Sequence, residues 1–205
     1  TEEQRQQIYD VVLRETMRLS RLVNDMLELS RLQSGTASLS RSVFAPLPLF
    51  NLIHETYSAY AEDYQQTFVY DVPEDLPSVW GNPDRTQQVL IVLLDNAFKY
   101  TPEGGVVTLS ACAEGDVVRV RVRDTGVGIP AADLPHVFDR FYKVDKSHHS
   151  KGTGLGLAIA YEIMKHLGEE MSVTSEPGQG SCFTFTLHIA QGSAEKTAEP
   201  PKAPA

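Results

Sequence analysis

The chain has 205 residues and a formal net charge of −9, and 41% of its residues are hydrophobic and 22% charged. This balance is typical of a globular protein, and the acidic charge argues against a nucleic-acid-binding protein, which usually carries a basic patch. The longest apolar run has six residues, whereas a membrane-spanning helix needs about 20. The first residues do not resemble a secretory leader, and Cys112 and Cys182 predict neither a disulfide framework nor a metal site.

Residues 1–34 contain no glycine or proline and predict one long helix. Its apolar residues recur mostly three or four apart and form a broad stripe made of Ile8, Val11, Val12, Leu19, Leu22, Val23, Met26, Leu27, Leu29 and Leu32. Nothing within the helix can cover this stripe. It can pack on the rest of the chain as an ordinary core helix. An intermolecular helix bundle is favoured, because a linker containing glycine, serine and proline follows the helix.

The next part of the chain, residues 39–189, predicts a mixture of helices and strands. Helices are expected at about 47–62, from Asn82 or Pro83 to about Tyr100, and at 154–167, where Gly168 ends the helix. Strands are expected at 39–44, 67–71, 106–113, 117–124, 171–175 and 182–189, with turns at 114–116 and 177–180. Residues 190–205 contain three prolines and no large apolar side chain, so they predict a disordered tail.

The first segment that suggests chemistry is the end of the third predicted helix, which ends at about Tyr100. Asn96 and Lys99 are three residues apart and share a helical face. An amide oxygen can ligate a hard cation such as Mg²⁺, and an ammonium group can bind phosphate oxygens. The ordinary alternative is a pair of solvated or capping residues near a helix end.

A second segment, Asp124 to Ile129, directly follows a predicted strand. Gly126 and Gly128 permit a tight turn and let a ligand approach the backbone. A carboxylate at the end of the strand can accept a hydrogen bond from an exocyclic amine, as adenine presents. A plain strand-to-loop turn is the alternative, because aspartate and glycine are common in turns.

A third segment, residues 151–158 (KGTGLGLA), enters a predicted helix. Its exposed amides and the positive end of the helix dipole favour an anion site. The segment is not a P-loop, because the chain contains no G-x-x-x-x-G-K-[ST]. It also fails as a dinucleotide fingerprint, since position 159 is isoleucine and a loop precedes it.

Together these segments resemble the C-terminal half of a bacterial sensor histidine kinase, over about residues 5–189. The likeness is carried by residues 95–100 (the N box), 124–129 (the first glycine box), 137–143 (the F box), 152–157 (the second glycine box) and 178–183 (the last glycine turn). Residues 1–34 resemble the second helix of the family's dimerisation and phosphotransfer hairpin, chiefly at 18–27. In this division, 35–48 is a linker with the first strand, and 39–189 is the catalytic ATP-binding domain.

The resemblance implies an α+β fold, a Bergerat-type ATP-binding sandwich whose mixed sheet is covered on one face by helices, with an N-terminal bundle helix. It implies ATP and Mg²⁺ as ligands. Asn96 would hold Mg²⁺, Lys99 would contact phosphate, Tyr100 would line the pocket and Asp124 would bind the adenine amino group. Arg140 and Lys143 would be catalytic contacts to the γ-phosphate. The remaining nucleotide-binding residues would be Gly126, Gly128, Ile129, Lys151, Gly152, Thr153, Gly154, Leu155, Gly156, Leu157 and Ser181, and residues 141–150 would form the mobile ATP lid.

The resemblance also implies a reaction and partners. The γ-phosphoryl group of ATP would pass to a histidine on a missing upstream helix, and then to the receiver domain of a response regulator. The full protein would form a homodimer through its hairpin helices. Its membrane contacts would lie only in absent upstream segments, so that this chain is a cytoplasmic fragment of a protein in the cell membrane.

Two departures from the family pattern stand out. His54-Glu55-Thr56 only superficially resembles the phosphoacceptor motif, because no proline follows and it lies after the hairpin helix. We interpret His54 as a packing or surface residue and expect the acceptor outside this chain. The second departure is Val92, where the family usually has asparagine on the face of Asn96. Valine cannot coordinate a cation.

Two interpretations of Val92 remain open. It is either a tolerated variation, with Asn96 sufficient for Mg²⁺, or the mark of an ATP-binding pseudokinase module. A third possibility is a stand-alone protein-serine kinase of the same superfamily. The hairpin-like helix and the F box argue against that possibility.

Overall fold

The computed structural model describes residues 2–35, 39–144 and 152–190. The helices are α1 (Glu2–Gln33), α2 (Pro46–Asp63), α3 (Pro83–Tyr100) and α4 (Gly156–His166), and a short 3₁₀ turn covers Leu134–His136. The strands are β1 (Ser42–Phe44), β2 (Thr67–Asp71), β3 (Val79–Gly81), β4 (Val106–Glu114), β5 (Val117–Asp124), β6 (Met171–Glu176) and β7 (Gly180–His188). The predicted tail from 191 onward and residues 145–150 of the predicted lid lie outside the described residues.

Five strands form one mixed sheet in the order β2-β4-β5-β7-β6. Strands β2 and β4 are parallel, and the other neighbours are antiparallel. Along β5, Val118, Val120 and Val122 are buried, whereas the arginines between them face the other side of the sheet. Helices α2, α3 and α4 contact the sheet and share its apolar core. The predicted α+β sandwich, with helices on one face of a mixed sheet, is therefore confirmed.

Helix α3 carries one wall of the candidate site, and its sequence sets both of its ends. The Asn82 side chain accepts a hydrogen bond from Arg85 N at 3.0 Å, and Pro83 occupies the first turn, where it needs no hydrogen-bond partner. The Thr101 amide caps the other end on Ala97 O. Each buried leucine of this helix contributes roughly 2 kcal/mol, and its buried apolar residues are Val89, Leu90, Leu93, Leu94, Ala97 and Phe98.

Among the described residues, the last turns of α1 pack on the rest of the chain. Leu29 and Leu32 are 4% and 0% exposed and belong to the common core, Leu22 is half-buried against that core, and α1 contacts α4. Further toward the N-terminus the stripe is exposed, since Ile8 and Leu19 are 62% and 60% exposed. The core-helix interpretation thus holds for the end of α1, and the described N-terminal part of the stripe remains exposed.

Several predicted boundaries were wrong, for local reasons. Strand β3 was missed because it has only three residues and pairs with β1 rather than with the main sheet. Helix α4 begins at Gly156 instead of 154, because Gly154 has a φ of 73°. Strand β7 begins at Gly180, which still pairs with Glu176. The β4–β5 turn is shorter than expected, since Glu114 already pairs with Val117.

Candidate functional site

Asp124 is the buried acidic group at the centre of the site. It ends β5, is 4% exposed, and its Oδ1 accepts hydrogen bonds from the amides of Gly126 at 2.8 Å and Ser181 at 3.2 Å. Burial raises the pKa of Asp124, and the two amides oppose this shift by stabilising the carboxylate. Both bonds end on Oδ1, so Oδ2 has no hydrogen-bond partner among the described residues and can accept one from a ligand.

Two glycines let other backbone segments approach this carboxylate closely. A Cβ atom on Gly126 would lie 2.3 Å from Tyr100 O, and one on Gly128 would lie 2.1 Å from Glu176 O. Gly128 also has a φ of 69°, which side chains rarely tolerate. The first glycine segment is thus held directly between the end of α3 and the end of β6.

Hydrogen bonds fasten the last glycine turn to the same place. Gly178 N donates to Val127 O at 2.9 Å, and Ile129 N donates to the Ser175 hydroxyl at 2.8 Å. The Ser175 hydroxyl lies 3.0 Å from that of Ser181, which is 8% exposed. Asp124, Ile129 and Ser181 therefore belong to one hydrogen-bonded network.

At the other end of the site, the polar side chains of α3 are bound to their own helix. Asn96 Nδ2 donates to Val92 O at 2.8 Å, which leaves its Oδ1 as the oxygen for a cation. Lys99 Nζ donates to the Tyr100 hydroxyl at 2.9 Å and lies 4.5 Å from the centre of that ring. Asn96 is half-buried, and Lys99 and Tyr100 are exposed.

The second glycine segment lies against this face of α3. A Cβ atom on Gly152 would lie 3.4 Å from Lys99 Nζ, and one on Gly156 would lie 3.4 Å from Val92 Cγ1. The structure thus brings together the three segments that the sequence singled out, around residues 96–100, 124–129 and 152–157. Lys151, the first residue of the predicted loop motif, lies outside the described residues.

Four residues of this segment make contacts within the protein. Phe141 N donates to Gly154 O at 2.9 Å, so the F box is joined to the loop. Leu155 is fully buried and Leu157 is half-buried against the core. The Thr153 hydroxyl accepts from Leu155 N at 3.3 Å and donates to the carboxylate of Asp25 in α1 at 3.0 Å.

The two predicted γ-phosphate contacts lie near the edge of the described residues. Arg140 is exposed and, with Phe141, lines a groove of about 440 Å³ beside α1 and Leu155. Lys143 is half-buried, two residues before the chain leaves the described part. The described residues contain no cluster of three or more histidine, cysteine or acidic residues that could hold a metal ion.

Sequence reasoning missed one support of the site. The Tyr57 hydroxyl donates to Asp95 Oδ1 at 2.7 Å, next to Asn96, and the Tyr57 ring stacks on Phe98 at 5.5 Å. Burial, followed by the bond to Asp95, raises the pKa of Tyr57. His54 stacks on Tyr70 at 4.4 Å in the same layer, as expected of a packing residue. The contact pairs separated helices, so no local motif signals it.

Comparison with known proteins identifies the family. Residues 81–191 match the family described as "Histidine kinase-, DNA gyrase B-, and HSP90-like ATPase". The chain belongs to this family. It is 39% identical over 181 residues to the sensor histidine kinase WalK of Bacillus subtilis, a match covering 86% of this chain and 30% of WalK. It is also 37% identical over 188 residues to the sensory kinase SasA of Thermosynechococcus vestitus, covering 90% of this chain and 49% of SasA.

Solved structures of histidine kinases have the same fold. The full-length ShkA structure in complex with AMPPNP has a TM-score of 0.78 and 32% identity, and covers 90% of this chain and 39% of ShkA. The histidine kinase AdeS of Acinetobacter baumannii, with a TM-score of 0.72 and 23% identity, supports the fold alone. The Bergerat-type fold and the family are therefore confirmed, and the chain contains an ATP-binding catalytic domain of the kind found in histidine kinases.

The chain spans less than half the length of the curated relatives compared above, between 30% and 49%. The relatives are named as kinases, which favours the kinase over the pseudokinase and the serine-kinase alternatives. In the described part of the chain, no helix is long and apolar enough to cross a membrane.

Proposed function

We propose that this catalytic domain binds ATP with Mg²⁺ and presents the γ-phosphoryl group to a histidine outside this chain. A receiver-domain aspartate of a response regulator then takes the group from that histidine. One observation carries the proposal. The buried carboxylate of Asp124, whose Oδ2 has no hydrogen-bond partner among the described residues, lies at one end of the site. A glycine segment beside Asn96 and Lys99 lies at the other end. One end suits a nucleobase amine and the other a polyphosphate.

Asp124 selects the base in this proposal. Its Oδ1 is occupied by two amides, so Oδ2 accepts from the 6-amino group of adenine. Guanine presents a carbonyl oxygen there, and two acceptors would face each other. Tyr100, Gly126, Gly128 and Ile129 line the base, and Ser181 takes part in its water network.

The phosphates are bound at the other end by positive groups and backbone amides. Lys99 releases the Tyr100 hydroxyl to reach a phosphate oxygen, and the amides of 152–157 at the start of α4 supply further donors. Arg140, Lys143 and Lys151 approach the γ-phosphate. Asn96 Oδ1 holds Mg²⁺, which neutralises phosphate charge when it is bound. The protein thus contributes positioning and charge neutralisation.

The division of the chain follows from this assignment. Residues 1–34 form the second hairpin helix, 35–48 the linker with the first strand, 39–189 the catalytic domain and 190–205 a tail. The exposed stripe of α1, which includes Ile8 and Leu19, is covered by a hairpin helix outside this chain and by a second copy. The full-length protein is a homodimer that contacts the membrane only through upstream segments.

The binding step is tested by titrating the chain with ATP and GTP in a calorimeter, with Mg²⁺ or with EDTA. We expect tight ATP binding only with Mg²⁺ and at least tenfold weaker GTP binding, because one charge-assisted hydrogen bond is lost. Equal affinities for ATP and GTP would contradict the proposed recognition of the adenine amino group by Asp124.

The transfer step needs the missing histidine. We suggest joining the chain to its upstream hairpin helix and adding ATP labelled at the γ-phosphate. An acid-labile, base-stable label on the helix supports the kinase. ATP binding without any label supports the pseudokinase, a reading motivated by Val92, whose side chain packs near Gly156 where a polar ligand is expected. An acid-stable label supports a serine kinase.

A further inference from the structure

The last turns of α1 are bonded to the start of α3 and to the second glycine segment. Glu28 forms an ion pair with Arg85 and accepts from Gln88 Nε2 at 2.9 Å, both in the first turns of α3. Asp25 accepts from the Thr153 hydroxyl at 3.0 Å. Helix α1 is therefore bonded directly to the glycine segment at which the phosphates are proposed to bind.

The docked end of α1 is held by apolar burial as well. Leu29 and Leu32 are buried in the common core, and Leu29 shares a groove with Leu155, the residue just after Gly154. Burying two such side chains stabilises the docked position of α1. Docked α1 can therefore affect the affinity of a ligand that binds beside it.

The contact of Asp25 places a carboxylate behind the glycine segment. Thr153 is adjacent to Gly152, and a Cβ atom on Gly152 would lie 3.4 Å from Lys99 Nζ. The carboxylate is therefore one hydrogen bond away from a residue of the segment at which nucleotide phosphates are proposed to bind. Arg21 and Glu28 are the charged neighbours of Asp25 on its own helix, and neither bonds to the glycine segment.

We propose that docking of α1 and binding of nucleotide phosphates oppose each other through Asp25. ATP loosens α1 from the catalytic domain, and docked α1 weakens ATP. This inference rests on the proposed function, because it requires phosphates at the glycine segment. The physical cause is repulsion between like charges in a partly buried site. The coupling is reciprocal by thermodynamic linkage, so it can be measured from either side.

The first test compares nucleotide affinities of the wild-type chain and Asp25→Asn. The substitution keeps the size of the side chain and its acceptor oxygen but removes the charge. We expect ATP to bind about three- to tenfold more tightly to the variant, and adenosine, which carries no phosphate, to bind within twofold of the wild type. Asp10→Asn is the matched control, because Asp10 is exposed on the same helix and contacts Gln6 rather than the glycine segment.

The outcomes separate this inference from the proposed function. Unchanged or weaker ATP binding by Asp25→Asn would overturn the inference, and weaker binding would mean that the Asp25–Thr153 bond pre-organises the loop. An equal gain for ATP and adenosine would also overturn it, since charge would not be the cause. If the wild-type chain and every variant fail to bind ATP, the proposed function fails instead.

The second test follows α1 directly by hydrogen exchange of the amides in residues 22–33. Saturating ATP is expected to speed their exchange several-fold in the wild type, whereas adenosine leaves it unchanged. In Asp25→Asn the response to ATP should shrink toward that of adenosine. Slower exchange with ATP would contradict the proposal, because it would mean that nucleotide and docked α1 stabilise each other.

Discussion

The two ends of the candidate site are built in different ways. At the base end, Asp124 is 4% exposed, its Oδ1 is fixed by two backbone amides, and backbone segments meet at Gly126 and Gly128. At the phosphate end, Asn96 and Lys99 are bonded to their own helix, and Lys99 is exposed. On the proposed function, the group that recognises the base is therefore already fixed in place, whereas Lys99 must leave the Tyr100 hydroxyl to reach a phosphate.

The largest expected effect tests the rigidity of the base end. In Gly128→Ala the new Cβ atom would lie 2.1 Å from Glu176 O, so the segments must separate. We expect the free energy of unfolding to fall by roughly 3 kcal/mol or more. Gly178→Ala is the matched control, because Gly178 also has a positive φ, 77°, but no atom within 4 Å of the new Cβ.

The control should lose only about 1 kcal/mol, from the strained φ. Urea denaturation of both variants measures the difference. Equal losses would show that backbone apposition at Gly128 does not hold the base end together.

The next effect concerns the base itself. Asp124→Asn keeps an oxygen for the amides of Gly126 and Ser181, but turns an NH₂ group toward the adenine amine. We expect ATP affinity to fall by about 2–3 kcal/mol, roughly 30- to 150-fold. Calorimetry should find the same loss for adenosine, because the contact lies at the base end. A loss confined to ATP would place the effect at the phosphates instead.

The same substitution should change how stability depends on pH. Burial raises the pKa of Asp124 above its ordinary value of 3.8, so the folded state binds a proton more tightly than the unfolded state. The stability that protonated Asp124 provides is therefore lost as the pH rises from 3.8 through the raised pKa. Urea denaturation measures this from about pH 3.5, roughly the acid limit of that window, upward. As the pH rises, the free energy of unfolding of Asp124→Asn should increase relative to that of the wild type. A constant difference between the two would contradict the assigned desolvation.

The smallest expected effect concerns Mg²⁺ binding at the phosphate end. Val92→Asn adds an amide oxygen one helical turn before Asn96, on the same face. With Mg²⁺, we expect the variant to bind ATP about threefold to fivefold more tightly than the wild type, a gain of roughly 0.7–1 kcal/mol. With EDTA, we expect the variant and the wild type to bind ATP with the same affinity. Val92→Ala controls for lost packing beside Gly156. No difference between the two variants would show that Asn96 alone serves the metal.

Features encoded in short segments could be predicted from the sequence. The Asn82-Pro83 pair marks the start of α3 to within a residue, and alternating apolar residues mark β4 and β5. The glycine segments and Asp124 were found because their chemistry lies within a few consecutive residues. The three-residue β3 fell below what such patterns resolve, because its pairing with β1 rather than its composition defines it.

Contacts between distant residues were not predictable in this way. Asp25 and Thr153 are 128 residues apart, and Tyr57 and Asp95 are 38 apart. Each pair depends on how α1 or α2 docks on another segment of the domain, and hydrophobic periodicity does not reveal this docking. The stripe of α1 indicated that it must be covered, but only the structure shows that Leu29 and Leu32 are covered by the same chain.

The tight turn between β4 and β5 has a consequence at the opposite end of the hairpin. Glu114 pairs with Val117 at the turn and Val107 pairs with Asp124 at the far end, about 24 Å away along the strand. A slip of this pairing by one position would move Asp124 to the other face of the sheet. The register of the hairpin that begins at this surface turn thus determines on which face of the sheet Asp124 lies.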